Sequence, residues 1–378
     1  MLRGFAIVMM IVNHLGEKLP AFGYRPGGVL DTLVFLGSFA PAVFYFTTGF
    51  GIGVSRDRPD PAAARSMLFK AALLVVADQF MWWKDGEAYG LDFLAFIGLS
   101  TVLVTLVAYS KRSVWVACGL AMIALVLRFG LGWWLRDRVQ LGGLGAWLVG
   151  ITPLDRVSYP LSPWIEYPLV GYVLARYYRR QLAAGNPRFS HGWLSVTAAG
   201  ACVCSGILYH RHAAFFRWGT VSIGYFVLSI AVLAGAILLA WSVHRILPRL
   251  ARIVSLRGMQ SLAVVPIHYG LLALLAIAVP RLAGPPAVCA ALLAMIVASM
   301  SLSNAFASAV HSLNRRVSPE VAVYLFAGTA VICVALELGR ASPAMFAAFV
   351  AGQLAITGLL SMRAGGQRPV PVLAPRVT

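Results

Sequence analysis

Residues 219–244 read GTVSIGYFVLSIAVLAGAILLAWSVH, a run without a single Asp, Glu, Lys or Arg. A helix needs about 20 apolar residues to cross the hydrocarbon core of a bilayer, and this run is long enough to do so. A charge in hydrocarbon would be costly, whereas a helix satisfies its own backbone groups without water. The run therefore predicts a membrane-spanning helix.

The rest of the chain has the same character. Of its 378 residues, 60% are hydrophobic and 12% are charged, which is about half the charged fraction of soluble domains. Further candidate spans lie near residues 2–16, 30–54, 66–83, 91–110, 113–134, 159–178, 192–209, 258–280, 286–310, 320–338 and 343–362. We therefore predict an all-α polytopic integral membrane bundle of about 11–12 transmembrane helices over residues 1–364. Residues 365–378 are rich in Pro, Gly and Arg, and we predict that they form a disordered cytoplasmic tail.

The positive charges indicate an orientation in the membrane. A formal net charge of +18 would suggest a nucleic-acid partner if the protein were soluble. Here the cations lie in short loops between the apolar runs, and the loops on the same side as the N-terminus hold most of them. The positive-inside rule therefore places both termini in the cytoplasm. We expect a protein of the bacterial inner (plasma) membrane that contacts lipid and no nucleic acid. The sequence is compatible with a homodimer.

The cysteines give no sign of a metal centre. The 5 cysteines all lie in apolar runs, at spacings that fit neither a zinc site nor a disulfide framework. The sequence also has no nucleotide phosphate loop, zincin pattern or nucleophile elbow. We interpret the cysteines as small buried hydrophobic residues and expect no metal.

Ionisable residues inside apolar runs are candidates for function, because a charge in hydrocarbon is costly. His14 follows Arg3 in the first run at a distance of about 16 Å along a helix. This predicts Arg3 at the cytoplasmic face and His14 in the outer half. Histidine is a good general base near neutral pH, and Asp31 is a candidate to accept the proton of its ring. Two structural explanations stay open: an interfacial His14 that ends its helix, and an Asp31 that caps the next one.

Other polar residues have the same two kinds of explanation. Trp164 and Glu166 open the sixth run from the outside, and an aromatic ring beside a carboxylate is common sugar-binding chemistry. His268 lies among Val, Ile and Leu, so it must hydrogen-bond a neighbour. The structural explanations are that Trp164 belongs to the aromatic belt at the membrane surface, that Glu166 caps its helix, and that His268 bonds a neighbouring helix. Asp78 lies in the middle of a run, where a carboxyl group is expected to be protonated or paired, and Arg128 is a candidate partner.

Several segments resemble one family in the family's own order. Residues 2–9 read LRGFAIVM and are followed by Asn13 and His14. This resembles the first core helix of the transmembrane acyltransferase superfamily, and the spacing from Arg3 to His14 matches the signature of its acyltransferase-3 branch. Four later segments are similar to the heparan-alpha-glucosaminide N-acetyltransferase branch: 31–51 to its second helix, 90–100 to the start of its lower helix, 159–171 to its Pro-rich Trp motif and 261–268 to its late Ser-Leu…His helix. Members typically carry an Asp two residues before Arg-Gly, which this chain lacks, so we expect the natural chain to begin slightly earlier.

The resemblance implies a membrane-bound O- or N-acyltransferase. It would move an acyl group, acetyl in the first instance, from cytoplasmic acyl-CoA to a saccharide or glycoconjugate acceptor. His14 would act as general base or transient acyl carrier, with Asp31 as its catalytic partner, and the phosphates of acyl-CoA would be bound by Arg3, Arg56 and Arg65. The acceptor-binding residues implied in the same way are Asp92, Trp164, Glu166 and His268.

Two other classes of protein stay open at this point. A carrier or flippase of a polar envelope metabolite, without covalent chemistry, would also place His, Asp and Arg inside its spans. Many carriers contain inverted repeats, and this sequence has no visible repeat of that kind. In a scaffold protein, the polar residues would only hold helices together.

Overall fold

The computed structural model describes residues 1–24, 27–55, 61–81, 92–132, 158–184, 191–211, 222–255, 260–279 and 284–314, with a few isolated positions besides. The predicted span 343–362, nearly all of the predicted span 320–338, Arg56 and the predicted tail 365–378 lie outside the described residues.

The described part of the chain is helical throughout. In chain order the helices are α1 (Leu2–Lys18), α2 (Val29–Gly37), α3 (Ala40–Ser55), α4 (Pro61–Met81), α5 (Phe93–Tyr109), α6 (Ser113–Leu125), α7 (Leu161–Trp164), α8 (Glu166–Ala183), α9 (His191–Arg211), α10 (Ile223–Ile246), α11 (Pro248–Val254), α12 (Gln260–Ala278) and α13 (Gly284–Asn314). A 3-10 turn, Leu19–Phe22, follows α1, and a π-helical turn, Val126–Leu131, continues α6. Within these residues, 6 helical stretches are long and apolar enough to cross a membrane. The predicted all-α polytopic membrane bundle is confirmed.

The predicted span 30–54 is interrupted between α2 and α3. Pro41 causes the interruption, because proline has no N–H to donate and its ring would meet the carbonyl one turn earlier. The hydroxyl of Tyr225 donates to the Ser38 carbonyl at 2.7 Å. A hydrogen bond from α10 therefore satisfies a backbone group that the break would leave unpaired.

The face of α1 that packs into the bundle carries both core side chains and candidate site residues. Ile7, Ile11 and Leu15 recur one turn apart, and at most 1% of the surface of each residue is exposed. The helix packs with α2, α3 and α12, so this row faces protein on several sides. Arg3 lies one turn before Ile7 on this row, and His14 lies about two turns after Ile7 on the same face of the helix.

Glycines allow α3 and α8 to pack with their backbones in contact. A methyl group at Gly49 would overlap the Pro168 carbonyl oxygen, and one at Gly171 would overlap the Phe46 carbonyl oxygen. Gly49 opens the segment GFGIG at residues 49–53, and small residues of this kind let membrane helices approach closely.

Asp78 organises the start of α5. Its carboxylate accepts the backbone N–H of Asp92 at 3.2 Å and that of Leu94 at 3.1 Å. Asp78 is fully buried, and these bonds satisfy donors that a helix start leaves unpaired. Arg128, the partner that the sequence suggested for Asp78, donates to the Val149 carbonyl at 2.9 Å.

Candidate active site

A cavity of about 330 Å³, here called the His14 cavity, lies among α1, α3, α12 and the segments before α5 and α7. Its described lining residues are Met10, Asn13, His14, Glu17, Gly37, Ser38, Ala40, Pro41, Phe44, Asp92, Phe93, Ser158, Tyr159, Val265 and Tyr269. The volume is within the range of small-molecule sites, which is about 300–1,000 Å³. The interruption between α2 and α3 contributes to its wall, because Pro41 and Ser38 both line it.

His14 is held by a second histidine. Its Nδ1 lies 2.7 Å from Nε2 of His268, and the two rings are stacked with centroids 5.0 Å apart. His268 is fully buried, and its own Nδ1 lies 2.9 Å from the Val264 carbonyl oxygen. The chain of contacts thus runs from a backbone carbonyl of α12 to a ring of α1.

This chain of contacts determines where the protons lie when both rings are neutral. A carbonyl oxygen only accepts, so His268 donates from Nδ1 to Val264 and its Nε2 carries a lone pair. His14 must then donate from Nδ1 to His268, which leaves the lone pair of His14 on Nε2. His268 therefore selects the tautomer of His14, as the carboxylate of a catalytic triad does for its histidine.

Polar groups line the His14 cavity together with His14. The Tyr269 hydroxyl lies 3.5 Å from Nε2, at the outer limit of a hydrogen bond. Asp92, Asn13 and Glu17 also line the cavity, and Asn13 donates to the Val34 carbonyl at 3.2 Å. A molecule with several hydroxyl or amine groups would find partners on this wall.

A second cavity of about 340 Å³, here called the Arg3 cavity, lies nearer the start of α1. Its described lining residues are Arg3, Phe44, Thr48, Gly51, Ile52, Ser55, Met67, Lys70, Ala71, Leu74, Ile97, Thr101, Ser261 and Leu262. Arg3 and Lys70 are the cations of this wall, and Arg3 Nε donates to the Thr47 hydroxyl at 3.4 Å. Two cations on a wall that is otherwise neutral and mostly apolar suit an anionic group attached to an apolar arm.

The family model for heparan-alpha-glucosaminide N-acetyltransferase, catalytic, matches residues 1–204 of the chain. The chain belongs to this family. Membership supports a membrane protein with an acetyltransferase-like function. No curated protein and no solved structure matches the chain significantly.

The match to the acetyltransferase family covers one side of the site. Arg3, His14 and Asp92 lie within the matched residues, as does Lys70. His268 lies beyond them, and its place beside His14 comes from the packing of α12 against α1.

The structure brings some of the predicted site residues together and leaves others apart. His14 and Asp92 line one cavity, and His268 bonds His14. Asp31 is exposed in the first turn of α2, and Arg65 is exposed on α4, and neither is among the described lining residues of the two cavities. The position on the His14 ring that was predicted for Asp31 is taken by His268.

Trp164 lies behind the wall of the His14 cavity, and Glu166 is not among the described lining residues of either cavity. The indole of Trp164 is fully buried and meets the Tyr159 ring edge-on at 5.0 Å, and it is Tyr159 that lines the cavity. Glu166 is 3% exposed in the first turn of α8. Trp164 therefore supports the cavity wall through its contact with Tyr159.

Sequence reasoning did not assign Lys70, Tyr269 or Asn13 to the site. Tyr269 and Asn13 are the immediate neighbours of His268 and His14, so a search around each histidine would have found them. Lys70 carried no such signal, because a lysine at the end of an apolar run equally marks membrane orientation.

Proposed function

We propose that this protein is an acyltransferase that moves an acyl group, acetyl in the first instance, from acyl-CoA to a carbohydrate-type acceptor. The observation that carries the proposal is the 2.7 Å contact between His14 Nδ1 and His268 Nε2 at the wall of the His14 cavity, from which we infer that His14 Nε2 is the basic nitrogen. A base held in one tautomer at a cavity wall is the arrangement that proton removal from an acceptor requires. The family match supports the same reaction class.

The donor would occupy the Arg3 cavity. Arg3 and Lys70 would bind phosphate groups of acyl-CoA by charge-assisted hydrogen bonds, and the apolar remainder of the wall would contact the pantetheine arm. Arg3 and His14 are about 16 Å apart along α1. An extended arm that starts at Arg3 would therefore bring its thioester towards His14.

In direct transfer, His14 Nε2 removes a proton from an acceptor hydroxyl or amine. The oxygen or nitrogen attacks the thioester carbonyl carbon, and the carbon–sulfur bond breaks. The departing thiolate takes the proton from His14, so the products are an ester or amide and CoA thiol. His268 would stabilise the imidazolium that forms in between, because its Nε2 accepts from His14 Nδ1.

A two-step route uses the same lone pair. His14 Nε2 attacks the thioester carbonyl carbon and CoA leaves as the thiolate. The acyl-histidine then passes its acyl group to the acceptor, and the acceptor's proton neutralises the thiolate, so the products are again an ester or amide and CoA thiol. Incubation with acetyl-CoA and radiolabelled CoA, without acceptor, separates the routes. Label exchanges into acetyl-CoA only if an acyl-enzyme forms reversibly.

The acceptor would bind in the His14 cavity on the opposite side of the membrane from the donor. Asp92, Asn13 and Tyr269 would supply hydrogen bonds to sugar hydroxyl or amine groups. We place the Arg3 end and both termini in the cytoplasm of a bacterial inner (plasma) membrane, from the positive-inside distribution of the loops.

The proposal is tested with full-length protein purified in detergent. It is mixed with radiolabelled acetyl-CoA and a panel of saccharides that includes glucosamine and cell-envelope glycans, and transfer of label is measured. Wild type should transfer label, and His14→Ala should reduce the rate by about 100–10,000-fold, the usual contribution of a general base. His244→Ala is the matched control, because His244 is an exposed histidine at the end of α10.

Two results would contradict the proposal. One is no transfer of label by wild type to any acceptor in the panel. The other is a His14→Ala variant that transfers label as fast as His244→Ala. Uptake of a saccharide into vesicles without acyl-CoA would indicate the carrier instead.

A further inference from the structure

We propose that Phe44 is the neck between the donor and acceptor sites and sets the length of acyl chain that the protein transfers. The inference rests on the proposed function and adds a specificity-determining residue to it. Among the described residues, Phe44 is the side chain that lines both the His14 cavity and the Arg3 cavity. It is 3% exposed, so its ring is enclosed between them.

The two cavities lie end to end along the same helices. On α3, Pro41 lines the His14 cavity and Thr48 lines the Arg3 cavity, with Phe44 about one turn from each. On α5, Phe93 lines the first cavity and Ile97, one turn later, lines the second. This order places the two cavities end to end with Phe44 at their junction, and under the inference they are successive stretches of one passage.

The same order holds on the other two helices. On α12, Val265 lines the His14 cavity and Leu262 lines the Arg3 cavity. On α1, Met10 lines the first cavity and Arg3 the second. All four helices thus cross the boundary between the cavities at the level of Phe44.

Local contacts hold Phe44 in this position. Its ring meets the Phe93 ring edge-on, with centroids 5.2 Å apart and planes at 82°. Its carbonyl oxygen accepts hydrogen bonds from the hydroxyls of Thr47 at 2.8 Å and Thr48 at 3.1 Å. Because backbone and ring are both contacted, the width of the neck is set by the size of the side chain.

The consequence concerns chain length. A thioester that reaches His14 from the Arg3 cavity must pass the Phe44 ring, and its acyl chain passes first, so each methylene beyond acetyl adds a group that has to clear the ring. One methylene in an apolar pocket changes transfer rates by about 10–200-fold. Phe44 would therefore favour acetyl over longer chains.

The test measures kcat/KM for acetyl-CoA and for butyryl-CoA, with the saccharide of the panel that wild type uses best. Phe44→Ala should raise the ratio of butyryl to acetyl transfer by about tenfold or more. Phe44→Leu, which keeps an apolar side chain and removes the ring, should raise it by less and remains informative if the alanine variant does not fold. Phe46→Ala is the matched control, since Phe46 is fully buried on the same helix and is not among the described lining residues of either cavity.

The outcomes separate this inference from the proposed function. If wild type transfers no acyl group from either donor, the proposed function fails and the inference fails with it. If wild type transfers acetyl and the Phe44 variants keep its butyryl-to-acetyl ratio, only the inference fails. A ratio that Phe46→Ala raises as much as Phe44→Ala would also overturn it, because a loosened bundle would then explain the change.

Discussion

His268→Ala tests how much of the activity depends on the tautomer of His14. The variant removes the ring nitrogen that lies 2.7 Å from His14 Nδ1 and leaves that N–H without its acceptor. An unpaired buried donor costs about 1–3 kcal/mol. His14 can recover this energy by carrying its proton on Nε2, where the Tyr269 hydroxyl lies at 3.5 Å, but a protonated Nε2 is no longer a base. Since about 1.4 kcal/mol is a factor of ten, kcat should fall by about 5–150-fold.

His268→Gln is the informative companion variant. Its side-chain carbonyl oxygen reaches about as far as Nε2 of the histidine and can accept the His14 Nδ1 proton, so it should retain more activity than the alanine variant. The assay is the initial rate of transfer at varied acetyl-CoA, together with a thermal melt of each variant. KM for acetyl-CoA should stay within about twofold of wild type, because an interaction used in the chemical step changes kcat.

Two results would refute the reasoning about His268. The first is an alanine variant with the melting temperature and kcat of wild type. The second is a glutamine variant that is folded and as slow as the alanine variant, because a hydrogen-bond acceptor at that position would then make no difference.

Two other features give predictions of their own. Arg3→Ala and Lys70→Ala should each raise KM for acetyl-CoA by about 10–150-fold and change kcat little, because a hydrogen bond to a charged group contributes about 1.5–3 kcal/mol. Initial rates measure this, with Arg65→Ala as the exposed control. Wild-type KM values in both variants would contradict the placement of the donor in the Arg3 cavity. Gly49→Ala should lower the melting temperature in detergent, since overpacking costs about 1–3 kcal/mol, whereas Gly51→Ala, whose new methyl group meets nothing within 4 Å, should not. Equal melting temperatures for the two variants would contradict the contact between α3 and α8.

The fold class was predictable because the bilayer imposes it. A run such as 219–244 has to be helical in a membrane, and the structure forms α10 over Ile223–Ile246. The interruption of the predicted span 30–54 was harder to predict, because the residues around Pro41 are as apolar as their neighbours. Hydropathy measures length and composition, whereas this break depends on one missing N–H and on Tyr225 from a distant helix.

The site was partly predictable for a related reason. The spacing of Arg3 and His14 is local, so one helix carries it, and the structure places the two residues on two neighbouring cavities. The partner of His14 is 254 residues away, and hydropathy gave no reason to prefer His268 over Asp31. Trp164 was assigned to acceptor binding from its chemistry, but whether an aromatic ring lines a cavity or supports its wall depends on packing, here on Tyr159.

A second imidazole has one advantage over a carboxylate as the partner of His14. His268 is fully buried, and a carboxylate there would bring a full negative charge into a medium where unpaired charge is costly. A neutral imidazole accepts the same Nδ1 proton without net charge, and its own N–H is satisfied by the Val264 carbonyl. Under the proposed mechanism, charge arises only when His14 takes a proton from the acceptor, and the hydrogen-bonded pair then distributes it towards a backbone dipole. The resting passage stays uncharged at His14, which suits a site that an apolar acyl group has to enter.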